Sequence, residues 1–150
     1  MCTEKIPTQA TEEPTMKSSY QLIESYYQAF NTKDFATMLS YLDQKVVHDI
    51  NQGERQVGID KFRSFMDSMN HHYEEQLTDL VIMVAKDERR AACEFICHGT
   101  YLVTAPGLPV AKKQTYKLPV GAFFEITAGK ITRITNYYNL QDWISQVLHK

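Results

Sequence analysis

Apolar residues follow two different spacings along this chain, and the change between them divides it. Between residues 18 and 31, Leu22, Ile23, Tyr26, Tyr27 and Phe30 recur at helical spacing, with Ser18 or Ser19 as cap and Asn31 as stop. After the turn Thr32-Lys33-Asp34, the residues Phe35, Met38, Leu39 and Leu42 predict a second helix, with Asp34 at its start as a cap. Residues 46–50 read as a short strand, followed by a polar loop. Gly58 then opens a third amphipathic helix carrying Ile59, Phe62, Phe65, Met66 and Met69, which ends at Asn70-His71-His72. From there the period falls to two. Strands are predicted over residues 77–85, 91–103, 115–126 and 130–139, the first two joined by the charged turn Lys86-Asp87-Glu88-Arg89. Pro119 demotes its stretch to an edge, a bulge or a break in the ladder. A short helix over residues 141–148 carries Trp143, Ile144, Val147 and Leu148.

Helices segregated from a run of antiparallel strands predict an α+β domain. Three helices on the concave side of a strongly curved sheet would enclose a pocket. At 150 residues the chain is one domain, residues 18–150, after a loose N-terminal tail over residues 1–17.

Composition removes several classes of function. Net charge is −2 and the basic residues are scattered, so no face is expected to bind nucleic acid. The N-terminal stretch has no apolar core and no later run is long enough to span a membrane, which predicts a cytoplasmic protein without membrane partners. Cys93 and Cys97 lie four apart on one expected strand, roughly 13 Å at 3.3 Å per residue. A disulfide needs less than about 7 Å, and an odd cysteine count fits a reducing compartment. No phosphate loop is present. The His71-His72 pair has no third or fourth ligand at useful spacing, so neither metal nor cofactor is expected.

The candidate chemistry centres on Asp49, a carboxylate at the end of an otherwise apolar strand, Val46-Val47-His48-Asp49-Ile50. Facing inward, it would have a tuned pKa and could serve as a general base; facing outward, it would only end the strand and cap the turn. His48 alternates with it, so only one of the two can enter a pocket, and His48 is read as the outward one. Arg55, in the next loop, is read as a solvated charge that could also attract an anionic group.

The order of elements, with Ile23-Glu24-Ser25-Tyr26-Tyr27, Thr32-Lys33-Asp34-Phe35, Val47-His48-Asp49 and Val57-Gly58, resembles the ketosteroid isomerase-related and SnoaL-like group of the NTF2-like superfamily. The resemblance covers residues 18–143. It implies an NTF2-like (cystatin-like) cone in which three N-terminal helices pack on a strongly curved, mostly antiparallel sheet. It also implies that Asp49 stands at the position of the aspartate that moves a proton between carbons, and Tyr26 at that of the tyrosine donating to the oxyanion. A base alone leaves an enolate unstabilised, so such chemistry needs both. Val120 stands where steroid isomerases keep a second, protonated aspartate, and Met66 where they keep a relay tyrosine. Half of that oxyanion hole is therefore missing, and steroid isomerisation itself is not expected.

Alternation supplies an independent lining. With Val120 inward, Tyr116, Leu118, Ala122 and Phe124 follow on the same strand, and Ile134, Asn136 and Tyr138 on the last one. With Met66 and Phe30 from the helices, these make an apolar pocket holding a few polar groups, as small-molecule sites do. Counting from Phe95 as inward puts His98 on the opposite face, unless a bulge intervenes. The expected function is a cofactor-independent isomerase, cyclase or dehydratase acting next to a carbonyl on a small apolar molecule. The alternative is a non-catalytic ligand-binding or dimerisation module of the same shape. Aromatic and β-branched residues on the convex face predict a homodimer.

Overall fold

The computed structural model describes residues 17–149, so the expected tail over residues 1–17 lies almost wholly outside the described residues. Helix α1 (Ser19–Asn31) starts with a capping box, in which the Gln21 amide donates to Ser18 Oγ and the Ser18 amide to Gln21 Oε1, both at 3.2 Å. Its buried face is Leu22, Ile23, Tyr26, Tyr27 and Ala29. Helix α2 (Phe35–Ser40) is capped by Asp34, whose carboxylate accepts from the Thr37 amide and hydroxyl. Strand β1 (Leu42–Asp49) leads to a three-residue strand β2 (Arg55–Val57) and to helix α3 (Ile59–His72). Gly58 caps α3 at φ 109°, a conformation that side chains rarely adopt. The long strands follow: β3 (Tyr73–Val84), β4 (Arg90–Tyr101), β5 (Thr115–Thr127) and β6 (Lys130–Tyr138), then helix α4 (Leu140–Leu148).

The six strands form one open sheet in the order β2-β1-β6-β5-β4-β3, antiparallel throughout except where β1 runs parallel to β6. Register shifts in β1–β6, in β3–β4 at Asp79 (φ 58°) and in β5–β6 add the twist that curls the sheet. Side-chain hydrogen bonds fix α1 across the concave side. Asn31 Nδ2 donates to Leu77 O and Asn31 Oδ1 accepts from Leu77 N, both at 2.9 Å, while Ser19 Oγ donates to Glu88 O at 2.6 Å.

Pro119 sits within a strand that has neighbours on both sides, yet costs no ladder bond. Strand β6 pairs with β5 only from Val120 onward. Two residues earlier, the Lys117 amide points away from β4 to Gln146 Oε1 on α4, and alternation aims the Pro119 nitrogen to that same side, beyond the end of β6. Of the edge, bulge or ladder break expected at Pro119, the structure has a locally uncovered part of an inner strand. Strand β2 falls in the stretch expected as a polar loop, because Arg-Gln-Val is too short and too polar to carry a period. Strand β3 also begins four residues earlier than expected, at Tyr73.

Candidate functional site

The concave face and the helices enclose a cavity of about 270 Å³. Helices α1 and α2 give it Tyr26, Tyr27, Phe30 and Met38; α3 gives Phe62, Phe65, Met66, Met69 and Asn70; α4 gives Leu140 and Trp143. The sheet supplies His48, Tyr73, Glu75, Leu77, Phe95, Cys97, Tyr116, Leu118, Val120, Asn136 and Tyr138. Of the expected lining residues, Tyr116, Leu118, Val120, Asn136, Tyr138, Met66 and Phe30 stand in the cavity wall, whereas Ala122, Phe124 and Ile134 face the same way but are buried in the core beyond it. Tyr26 lines the cavity as well. Its hydroxyl makes no hydrogen bond to the described residues, and burial pushes its pKa far up, so it stays a neutral donor.

Strand β1 reverses the expected facing. His48 points in, 3 % exposed, and Asp49 points out. The Asp49 carboxylate takes Arg55 Nε at 2.6 Å and Nη2 at 3.0 Å, and Arg133 Nη1 at 3.3 Å. These contacts, with the Arg55 hydrogen bond as the largest cause, hold its pKa below the usual carboxylate value. A carboxylate serving as the base would have to face the cavity and have a raised pKa. Asp49 has neither property. Arg55 is correspondingly an ion-pair partner and not a free anion attractor. The error has a physical source, because Val46 and Val47 are equally apolar. Alternation along the strand therefore leaves its phase undetermined. Arg133 was the available signal, since its place next to inward Ile134 turns it outward and Asp49 needs a partner on that face.

His48 is held edge-on between Phe62 and Phe65, with ring centroids 5.0 and 4.5 Å away. Its Nδ1 is buried without a hydrogen-bond partner. Burial lowers its pKa below 6.5, outweighing the upward pull of the neighbouring Asp49 charge. The imidazole is thus neutral at physiological pH and able to accept a proton.

Glu75 is a charged cavity residue that the strand pattern did not point to. Its Oε2 accepts the Tyr116 hydroxyl at 2.7 Å and the Cys97 thiol at 3.1 Å. Burial first, then the Glu75 charge, pushes both of those pKa values far up; burial and the same charge also raise Tyr138. Extending the period-two pattern back from Leu77 would have placed Tyr73 and Glu75 inward, but the charged run Tyr73-Glu74-Glu75-Gln76 does not look like a strand. His98, whose facing the strand pattern left open to a bulge, points outward, where its Nε2 lies 3.0 Å from Thr78 Oγ1. Cys93 and Cys97 are free thiols. His72 Nδ1 lies 2.9 Å from Val103 O, and among the described residues no group of three or more His, Cys, Asp or Glu side chains gathers to hold a metal. Among the described residues no helix is long and apolar enough to cross a membrane.

Comparison with known proteins agrees with this architecture. The family model of the SnoaL-like domain matches residues 23–134. A structure from Pseudomonas putida, provisionally named as a polyketide cyclase, is 53% identical with a TM-score of 0.86, covering 87% of this chain and 98% of that one. A second provisionally named polyketide cyclase, from Xanthomonas campestris, is 48% identical with a TM-score of 0.84, covering 88% and 98%. An NTF2-like protein of unknown function from Burkholderia pseudomallei shares the fold at 15% identity and a TM-score of 0.74, covering 88% and 98%. No curated protein matches the sequence. The chain therefore belongs to the SnoaL-like family, and its curved sheet and helices have the NTF2-like fold.

Proposed function

We propose that this protein binds a small, mostly apolar carbonyl compound in the cavity and moves a proton next to the carbonyl, as an isomerase, cyclase or dehydratase does. His48 is the base in this reading, in place of Asp49. Tyr26 donates to the oxygen on which charge develops, and Asn136 and Tyr138 orient the ligand. The carrying observation is a neutral, buried imidazole in the cavity wall with Nδ1 lacking a partner. A positioned base contributes roughly 10²- to 10⁴-fold, and a phenol held neutral is suited to an enolate oxygen. The provisional names of the two relatives are compatible with cyclisation chemistry.

The experiment is a screen of unsaturated ketones and polyketide-like lactones with wild type and His48→Gln. The rate should rise with pH through a pKa below 6.5, and His48→Gln should abolish both the rate and that inflection. Turnover that His48→Gln leaves intact would exclude this assignment. A second reading, a ligand-binding module without catalysis, is favoured by the outward Asp49, which leaves the cavity short of the expected base. Ligands that bind wild type and His48→Gln equally and are never turned over would establish it.

We also propose that a second copy of the chain covers the convex face. Val81, Met83, Phe123 and Tyr137 are exposed there, with the Phe123 and Tyr137 rings 5.7 Å apart. Sedimentation at micromolar concentration should show a dimer that Phe123→Asp converts to monomer. A monomeric wild type would count against it.

A further inference from the structure

We infer that Glu75 makes the cavity selective for apolar small molecules that carry a protonated amine, and makes it reject carboxylates. The inference rests on the proposed function only in taking the cavity as the ligand site.

Among the described residues Glu75 is the only acidic one in the cavity lining, and that lining contains neither Arg nor Lys. The one basic side chain in the lining, His48, is kept neutral by burial. Within the lining no counter-charge faces the carboxylate; the Lys33 ammonium lies outside it, close enough for its charge to act on the Cys97 thiol. Lys33 bonds the backbone carbonyl of Glu75 and makes no ion pair with its side chain. Both donors that Glu75 receives, the Tyr116 hydroxyl and the Cys97 thiol, go to Oε2, and Oε1 takes none from the described residues. Half of the carboxylate is thus left with open acceptor capacity in an apolar wall, where an unmet charge is costly.

The surroundings add to the same preference. Tyr73, Tyr116 and Trp143 form a triangle of rings with centroids 5.8 to 6.5 Å apart, and Tyr116 also donates to Glu75. Aromatic rings beside a carboxylate attract cations. An ammonium group can give Oε1 a charge-assisted hydrogen bond, the stronger kind. A ligand carboxylate would meet a like charge where water screens poorly.

Three matched probes test this on the full chain: cyclohexylmethylammonium, cyclohexylmethanol and cyclohexanecarboxylate. Trp143, the single tryptophan and a lining residue, reports binding by its emission. In wild type the ammonium should bind roughly tenfold or more tightly than the alcohol, and the carboxylate most weakly. Glu75→Gln, which keeps an acceptor for Tyr116, should bring the three within about threefold of one another. A Glu75 that only orders the sheet would leave the ranking unchanged in Glu75→Gln, and that result overturns the inference. Tyr116→Phe removes one donor but keeps the charge, so the ammonium preference should persist or grow; its loss there would also overturn the inference. Alcohol binding without charge preference sinks the selectivity but leaves the cavity as a ligand site. No response to any of the three removes both.

Discussion

The two faces of the sheet handle polar residues in opposite ways. On the concave face a few polar groups stand among aromatic and aliphatic side chains, and several of them, His48 Nδ1, the Tyr26 and Tyr27 hydroxyls and Glu75 Oε1, have no hydrogen-bond partner among the described residues. On the convex face charges are linked in a chain: Arg90 to Glu125 at 2.8 Å, Glu125 to Arg133 at 3.1 Å, Arg133 to Asp49 at 3.3 Å and Asp49 to Arg55 at 2.6 Å. Satisfied charge on one side and open valence on the other is what separates a scaffold face from a binding face. Only one step of the chain separates them, because neighbouring strand residues point opposite ways.

Phe123 and Phe124 offer the largest test of that contrast, being adjacent, chemically identical and 45% and 1% exposed. Phe124→Ala should cost roughly 3–5 kcal/mol in urea unfolding, the range for a buried Phe. Phe123→Ala should change monomer stability by about 0.5 kcal/mol or less. Similar losses at both positions would break the two-face picture. The chemical counterpart is the pair His48 and Asp49. In turnover of any accepted carbonyl substrate, His48→Ala should lower kcat by about 10²-fold or more, whereas Asp49→Asn should leave it nearly unchanged. A reversed outcome would return the base role to the outer face.

Glycines give a smaller version of the comparison. A Cβ at Gly99, on the concave side, would lie 2.1 to 2.4 Å from the Tyr116 ring, whereas one at Gly121, on the convex side, meets nothing within 4 Å. Gly99→Ala should therefore displace Tyr116, the donor to Glu75, at roughly 1–3 kcal/mol by overpacking. It should also weaken ligand binding, read by Trp143 emission. Gly121→Ala should stay within about 0.5 kcal/mol of wild type.

These pairs also show what the sequence could tell. Periodicity was decisive where one face of a strand was uniformly apolar: Tyr116, Leu118, Val120, Ala122 and Phe124 declare their direction, and the lining of β5 and β6 followed from them. It failed where both neighbours were apolar, as at Val46 and Val47, and there a one-residue phase error exchanged His48 for Asp49. It also failed where a strand opens on polar residues, as at Tyr73-Glu74-Glu75-Gln76, because a pocket-facing carboxylate and a solvated one look alike in the sequence. The fold was therefore legible from many repeated positions, while the site depended on two positions whose facing is set by partners distant in the chain, Arg133 for Asp49 and Tyr116 for Glu75.

The smallest expected effect separates the faces by pH. Asp49 has its pKa lowered in the fold, so its contribution is present above the unfolded carboxylate pKa of 3.8 and is lost as pH falls through the lower folded value. His48 also has a lowered pKa, but as a base it acts in a different window. Below pH 6.5 the unfolded chain takes up the proton first, so stability declines from there down to the folded pKa. Urea midpoints measured from pH 7 to pH 3 should therefore fall in two stages. His48→Gln should flatten the upper stage and leave the lower one, and Asp49→Asn should do the reverse. The Asp49 stage should be the weaker of the two and should shrink in high salt, because its pair with Arg55 is exposed and ions screen it. An Asp49 stage that resists salt would mean that the convex face is covered in solution, as a dimer through Phe123 and Tyr137 requires.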